Sequence, residues 1–191
     1  MSRVWKRILA GAVIGGLFSG CSDPAPQGPP ELRFGRDECA ECGMAIEDER
    51  FAAAAWVDRG GHAEPALFDD IGCLLDFEST HPTVVLTRYF RDARAKEWIS
   101  GTPAFVQADR ERLRTPMASG MAAYADPADA DRAASDSAGE VLTFDQLRTG
   151  RQAWKAARSA GTRPPAPPAT TPAAAANSPP DGDRLPLPGG K

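Results

Sequence analysis

Proline placement sets the limits of what this chain can fold. Of its 18 prolines, nine fall within residues 161–191 and four within 22–30, which leaves five for everything between. Proline fixes φ and removes a backbone donor, so such dense runs cannot join helix or sheet ladders. The expected folded part is therefore the middle of the chain, roughly residues 31–160, long enough for one domain or a small pair. At the front, Arg3, Lys6 and Arg7 precede an apolar run from Ile8 to Phe18 that ends in Ser19, Gly20 and Cys21. That order is the n-region, h-region and small-residue end of an export signal. The run is too short for a transmembrane helix, which needs about 20 apolar residues. We divide the chain into a signal peptide (1–20), a Pro-rich tether (21–35), a folded domain (36–157) and a disordered Pro/Ala-rich tail (158–191).

Charge excludes some functions. The net charge of −4 becomes about −7 once the three leader cations are removed, which argues against a partner held through phosphates, and nucleic-acid binding is not expected. Two histidines and no Gly-rich phosphate loop leave few parts for acid–base or nucleotide chemistry.

Within the domain, Phe51 to Val57, the Gly60-Gly61 turn and Ala66 to Phe68 read as a hairpin, although an alanine run is a poor strand former. Asp69 and Asp70 cap a short helix from Ile71 to Phe77, and Thr83 to Phe90, β-branched and aromatic, is the clearest strand. A second pass runs through Ala104–Ala108, Met121–Tyr124 and Val141–Phe144 into a helical stretch reaching Trp154. The expected class is α+β. Phe68-Asp69-Asp70-Ile71 recurs as Phe144-Asp145-Gln146-Leu147, and Gly43-Met44 as Gly120-Met121, a weak echo of two facing copies of one small unit. Residues 125–139 show no apolar period and read as an exposed insertion.

The chemistry concentrates at Cys39-Ala40-Glu41-Cys42-Gly43-Met44. Cys-x-x-Cys lets two sulfurs share one ion, Gly43 lets the backbone turn toward it, and Met44 adds a third sulfur. Met117 and Met121 also lie outside the apolar runs that mark ordinary core filler, though Met121 leads into a strand. A thioether is a poor ligand for zinc and a good one for Cu(I), so thiolates with methionines in an exported protein point to copper. The motif alone also serves a structural zinc knuckle, a thiol–disulfide oxidoreductase using Cys39 and Cys42, or a plain disulfide in an oxidising compartment. A zinc site would draw further ligands from Cys73, His62 or His81. Cys73 falls on the apolar side of its helix and reads as a buried structural thiol, and both histidines read as turn or loop residues.

The Leu17–Cys21 stretch resembles the lipobox of bacterial lipoproteins, in which the cysteine, here Cys21, carries the acyl chains. Cys39-x-x-Cys42-Gly-Met44, Phe68-Asp-Asp-Ile-Gly-Cys73-Leu, Glu97-Trp98-Ile99, Ala104-Phe105-Val106 and Pro116-Met117-x-x-Gly120 succeed one another as in the NosL family, which the chain resembles over residues 36–155. That resemblance implies two similar ββαβ units and a non-enzymatic Cu(I) metallochaperone, anchored by lipid at the periplasmic face of the cell membrane or outer membrane. It further implies delivery of copper, through an ABC-type membrane complex, for maturation of nitrous-oxide reductase. Among the ligands it implies Cys42 and Met44, then Cys39, with Met117 contributed by the second unit.

Overall fold

The structure, a computed structural model, describes residues 26–162. The leader, the lipidation candidate Cys21 and nearly all of the expected tail lie outside the described residues. Strand β1 (Ala53–Arg59) turns through Gly60-Gly61 into β2 (His62–Phe68). Both glycines have positive φ, +67° and +89°, as a two-residue hairpin with the twist of its strands requires. Helix α1 (Ile71–Thr80) follows, capped by Asp70, and the chain returns as β3 (Val84–Phe90) on the other side of β1. The first sheet is antiparallel in the order β2-β1-β3, with a register shift at Trp56/Val57.

Placing the alanine run in the central strand explains how it forms β structure at all. Ala53, Ala54 and Ala55 are buried although they point alternately to opposite faces of the sheet, so both faces are covered and small side chains let the covering layers approach closely. Part of that cover is the described end of the expected tether. Trp56 Nε1 donates to the Gly28 carbonyl at 2.9 Å, and Leu32 and Phe34 pack against the core. Residues 26–35 thus lie on the domain, because this stretch carries apolar side chains among its prolines.

The second unit repeats the topology with shorter parts. Strands β4 (Ala104–Gln107) and β5 (Met121–Tyr124), helix α2 (Pro127–Ser137) and β6 (Glu140–Leu142) form an antiparallel sheet in the order β5-β4-β6. The chain is α+β with two three-stranded units, and α3 (Phe144–Ser159) is added at the end, opened by a capping box between Thr143 and Gln146.

Two sequence expectations need correction. Residues 125–139 are no insertion: Asp126 caps α2, Pro127 opens it, and Ala130, Ala134 and Ser137 form the buried stripe. The period is genuine at spacings of four and three, but it is written in alanine and serine, which a search for large apolar residues passes over. The echo of Phe68-Asp69-Asp70-Ile71 is misplaced as well. It joins the start of α1 to the start of α3, whereas the topological equivalent of α1 is α2.

The units meet in a common core, and a second buried cluster joins Phe51 to Val106, Ala122, Tyr124, Ala130 and Ala134. In the common core Phe90, Phe105 and Phe144 meet with ring centroids 4.9 to 5.7 Å apart, and Phe68, Phe77, Leu142 and Leu147 belong to it as well. Asp92 links the backbones: it bridges Ala123, and its carboxylate accepts from the Ala125 amide at 2.7 Å. Arg151 of α3 pairs with Asp76 of α1 at 2.7 Å. Among the described residues no helix is long and apolar enough to cross a membrane.

Candidate metal centre

The cysteine loop is a closed knuckle. The Cys39 amide donates to the Met44 carbonyl at 2.8 Å, and the Gly43 amide donates to the Cys39 carbonyl at 2.9 Å. Gly43 sits at φ +72°, the left-handed geometry the turn requires. Outside the turn, Glu38 bridges Ala45, and the Ala40 amide donates to the Leu67 carbonyl at 2.8 Å, which fixes the loop to the end of β2. The residues after Leu67 are Phe68, Asp69 and Asp70, and the last caps α1. The knuckle and the first turn of α1 therefore face each other.

Four side chains converge where they meet. One ligand atom from each of Cys39, Cys42, Asp69 and Cys73 lies within 4.8 Å of all the others. A metal–sulfur bond of about 2.3 Å lets two sulfurs sharing an ion stand up to ~4.6 Å apart, so the cluster is of the right size to close on one ion. All three cysteines are free thiols. Cys39, Asp69 and Cys73 are buried, at 3%, 2% and 4% exposure, while Cys42 is half-buried. The Cys42 thiol donates toward both Asp69 oxygens at 3.8 Å. A donor set with three sulfurs suits a soft or borderline ion.

The thiols are not equivalent. The Cys73 thiol donates to Cys39, and that hydrogen bond, outweighing burial, lowers Cys39 to about 6. The same bond, with burial behind it, pushes the Cys73 thiol far up. Burial raises Cys42 to about 11, partly offset by the Met44 backbone amide. Cys39 is thus the thiol most readily deprotonated, and Cys42 and Cys73 are the ones that hold their protons.

The methionines divide. Met44 follows the knuckle and is 56% exposed; Met117 is 37% exposed, on the loop between β4 and β5. Met121 is fully buried and is a core residue of β5. The Met117 loop is held by Asp70, whose carboxylate accepts from Thr115 Oγ1 at 2.6 Å and from the Met117 amide at 3.3 Å. Thr115 Oγ1 in turn accepts from the Ser119 amide at 3.0 Å. Gly72 permits this approach, since a Cβ there would stand 2.7 Å from Ser119 Cβ. One dipeptide, Asp69-Asp70, therefore faces the knuckle with its first carboxylate and anchors the Met117 loop with its second.

The sequence pairs Cys39 with Cys42, offers Cys73 as a further ligand while reading it as a buried structural thiol, and gives no sign of Asp69. Asp69 was assigned with Asp70 to helix capping, and only Asp70 caps. Cys73 is on the buried side of α1 as expected, but that side faces the knuckle. The available signal was an acidic pair at a helix start with a cysteine three residues beyond its cap. Neither histidine joins the cluster. His62 opens β2 at the hairpin turn, and His81 stacks on Phe77 at the far end of α1, with Nδ1 3.7 Å from Glu41.

The crystal structure of the copper chaperone NosL from Shewanella denitrificans is similar to this chain at 19% sequence identity, covering 63% of this chain and 96% of that one, with a TM-score of 0.49. No curated protein matches. The NosL family model matches residues 34–151, a span that takes in the cysteine knuckle, both sheets and the Met117 loop. On that match, the chain belongs to the NosL family.

Proposed function

We propose that this chain is a membrane-anchored periplasmic Cu(I) chaperone that supplies copper for the maturation of nitrous-oxide reductase through an ABC-type membrane complex. The observation that carries the reading is a cluster of free thiols with one open edge: Cys39 is buried, Cys42 is half-buried, and Met44 beside it is more than half exposed. Family membership supports it. Cu(I) is the cargo. Cys39, Cys42 and Met44, with Met117 from the second unit, are the residues proposed to hold it, because thiolate and thioether sulfurs are soft donors. An acceptor's ligand can add at the open edge before the donor's leave, so the ion passes through a shared intermediate. The leader and Cys21 support export and lipid anchoring.

Thiol–disulfide exchange fits less well. An exchanging pair presents its low-pKa thiol to the partner disulfide, whereas here the thiol lowered to about 6 is the buried Cys39 and the more open Cys42 is raised to about 11. The purified protein is expected to show no turnover in insulin reduction.

Anaerobic Cu(I) titration tests the copper reading. Stoichiometric binding is expected in the wild type, to be lost in Cys42→Ser and weakened in Met44→Leu; unchanged affinity in both variants would remove the assigned site. Fractionation tests the anchor: Cys21→Ser is expected to move the protein from membranes to the soluble periplasmic fraction.

A further inference from the structure

We infer that Cys73 is a third cysteine ligand of the copper site, with the buried Asp69 carboxylate as a positioning residue beside it. The inference rests on the copper reading above and adds a floor to a site otherwise drawn from the cysteine knuckle and the Met117 loop. A cysteine that only fills a core is surrounded by apolar side chains. Cys73, 4% exposed, belongs to the main apolar cluster, yet its sulfur also lies within 4.8 Å of two other sulfurs and a carboxylate oxygen. Asp69 points the same way. It is 2% exposed, its carboxylate accepts from the Cys42 thiol at 3.8 Å and lies within 4.8 Å of the Cys39 and Cys73 sulfurs, and among the described residues no Lys, Arg or His forms an ion pair with it. A buried carboxylate is costly unless polar donors meet it, and the donors that meet this one are thiols of the cluster.

The elements divide the work. Cys42 and Met44 form the rim that an acceptor reaches, and Cys39 and Cys73 form the floor, contributed by different parts of the chain. When Cu(I) binds, each thiol that coordinates releases its proton to solvent and the copper keeps its oxidation state. Asp69 acts by holding the thiols in place through hydrogen bonds rather than by ligating the ion, since a carboxylate oxygen is a hard donor and Cu(I) a soft ion.

The test uses the full chain loaded anaerobically with one equivalent of Cu(I), followed by X-ray absorption and by competition with a chromophoric Cu(I) chelator. Cys73→Ser is expected to lose one sulfur neighbour and at least ~10-fold in affinity, a ligand being worth no less than the partners that merely support one. Asp69→Asn is expected to keep the sulfur count and bind more weakly. Wild-type protein labelled with 13C at cysteine Cβ gives a readout that needs no variant to fold: the Cys73 resonance should move on loading. A Cys73 signal that stays in place, or a folded Cys73→Ser with wild-type sulfur count and affinity, overturns this inference and leaves the copper reading standing. A wild type that takes up no Cu(I) brings down both.

Discussion

The two ββαβ units have the same strand order and connectivity but are built from different material. The first has three strands of seven residues and a helix burying Ile71, Leu74, Leu75 and Phe77. The second has strands of four, four and three residues and a helix burying only alanine and serine, and it closes against α3. The contributions to the site differ in the same sense. The first unit supplies the buried end of the cluster, Asp69 and Cys73, while the second supplies an exposed loop that hangs on the first unit's Asp70. Shared topology here fixes how elements connect, and side-chain volume decides which unit can exclude water around a metal-sized cluster.

If the second unit depends on the first, the largest effect comes at their junction. Phe105→Ala removes the ring between Phe90 and Phe144 at a position 2% exposed, and is expected to cost about 4 kcal/mol. Urea unfolding should stay a single transition; separate transitions for two sheets would break the picture of a common core. Next comes Asp70→Ala, which strips the α1 cap and the anchor of the Met117 loop together. A loss of roughly 3 kcal/mol is expected, with faster amide exchange at Ser119 and Gly120, whose donors depend on Thr115.

A smaller effect is expected at the contact between α1 and α3. Burial by itself raises the Asp76 pKa, but the hydrogen bonds and charges of Arg151 and Lys155 outweigh it and hold the carboxyl below its ordinary value. A lowered folded pKa means stability fully present above the unfolded value, about 3.9, and lost as pH falls through the folded one. Arg151→Met should therefore destabilise by about 1 kcal/mol at pH 7, and the deficit should shrink below about pH 4, as the wild type loses the same pair. Melting curves at both pH values check this. The smallest change is expected from Met44→Leu and Met117→Leu, whose side chains are among the exposed large apolar residues. Stability should stay within about 0.5 kcal/mol of wild type while Cu(I) affinity falls, which would separate the site's chemistry from its scaffold.

What the sequence disclosed follows from how local each signal is. The hairpin at Gly60-Gly61, the Asp70 cap, the strand ending at Phe90 and the Met121–Tyr124 strand each depend on neighbouring residues and were legible. Helix α2 was not, because its buried stripe of Ala130, Ala134 and Ser137 looks polar until the sheet against it is known. The cysteine knuckle was legible as a six-residue pattern; its completion by Asp69 and Cys73 was not.

By itself the sequence determined the α+β class, the pairing of Cys39 with Cys42 and the resemblance to one family, since all of these are written in short-range order. Only the tertiary structure decided that Asp69 meets Cys42 across 27 positions and that Asp70 holds Thr115 across 45. Contacts at such separations are set by packing around a common core. A carboxylate at the start of α1 therefore reads as a cap until the fold lays a thiol beside it.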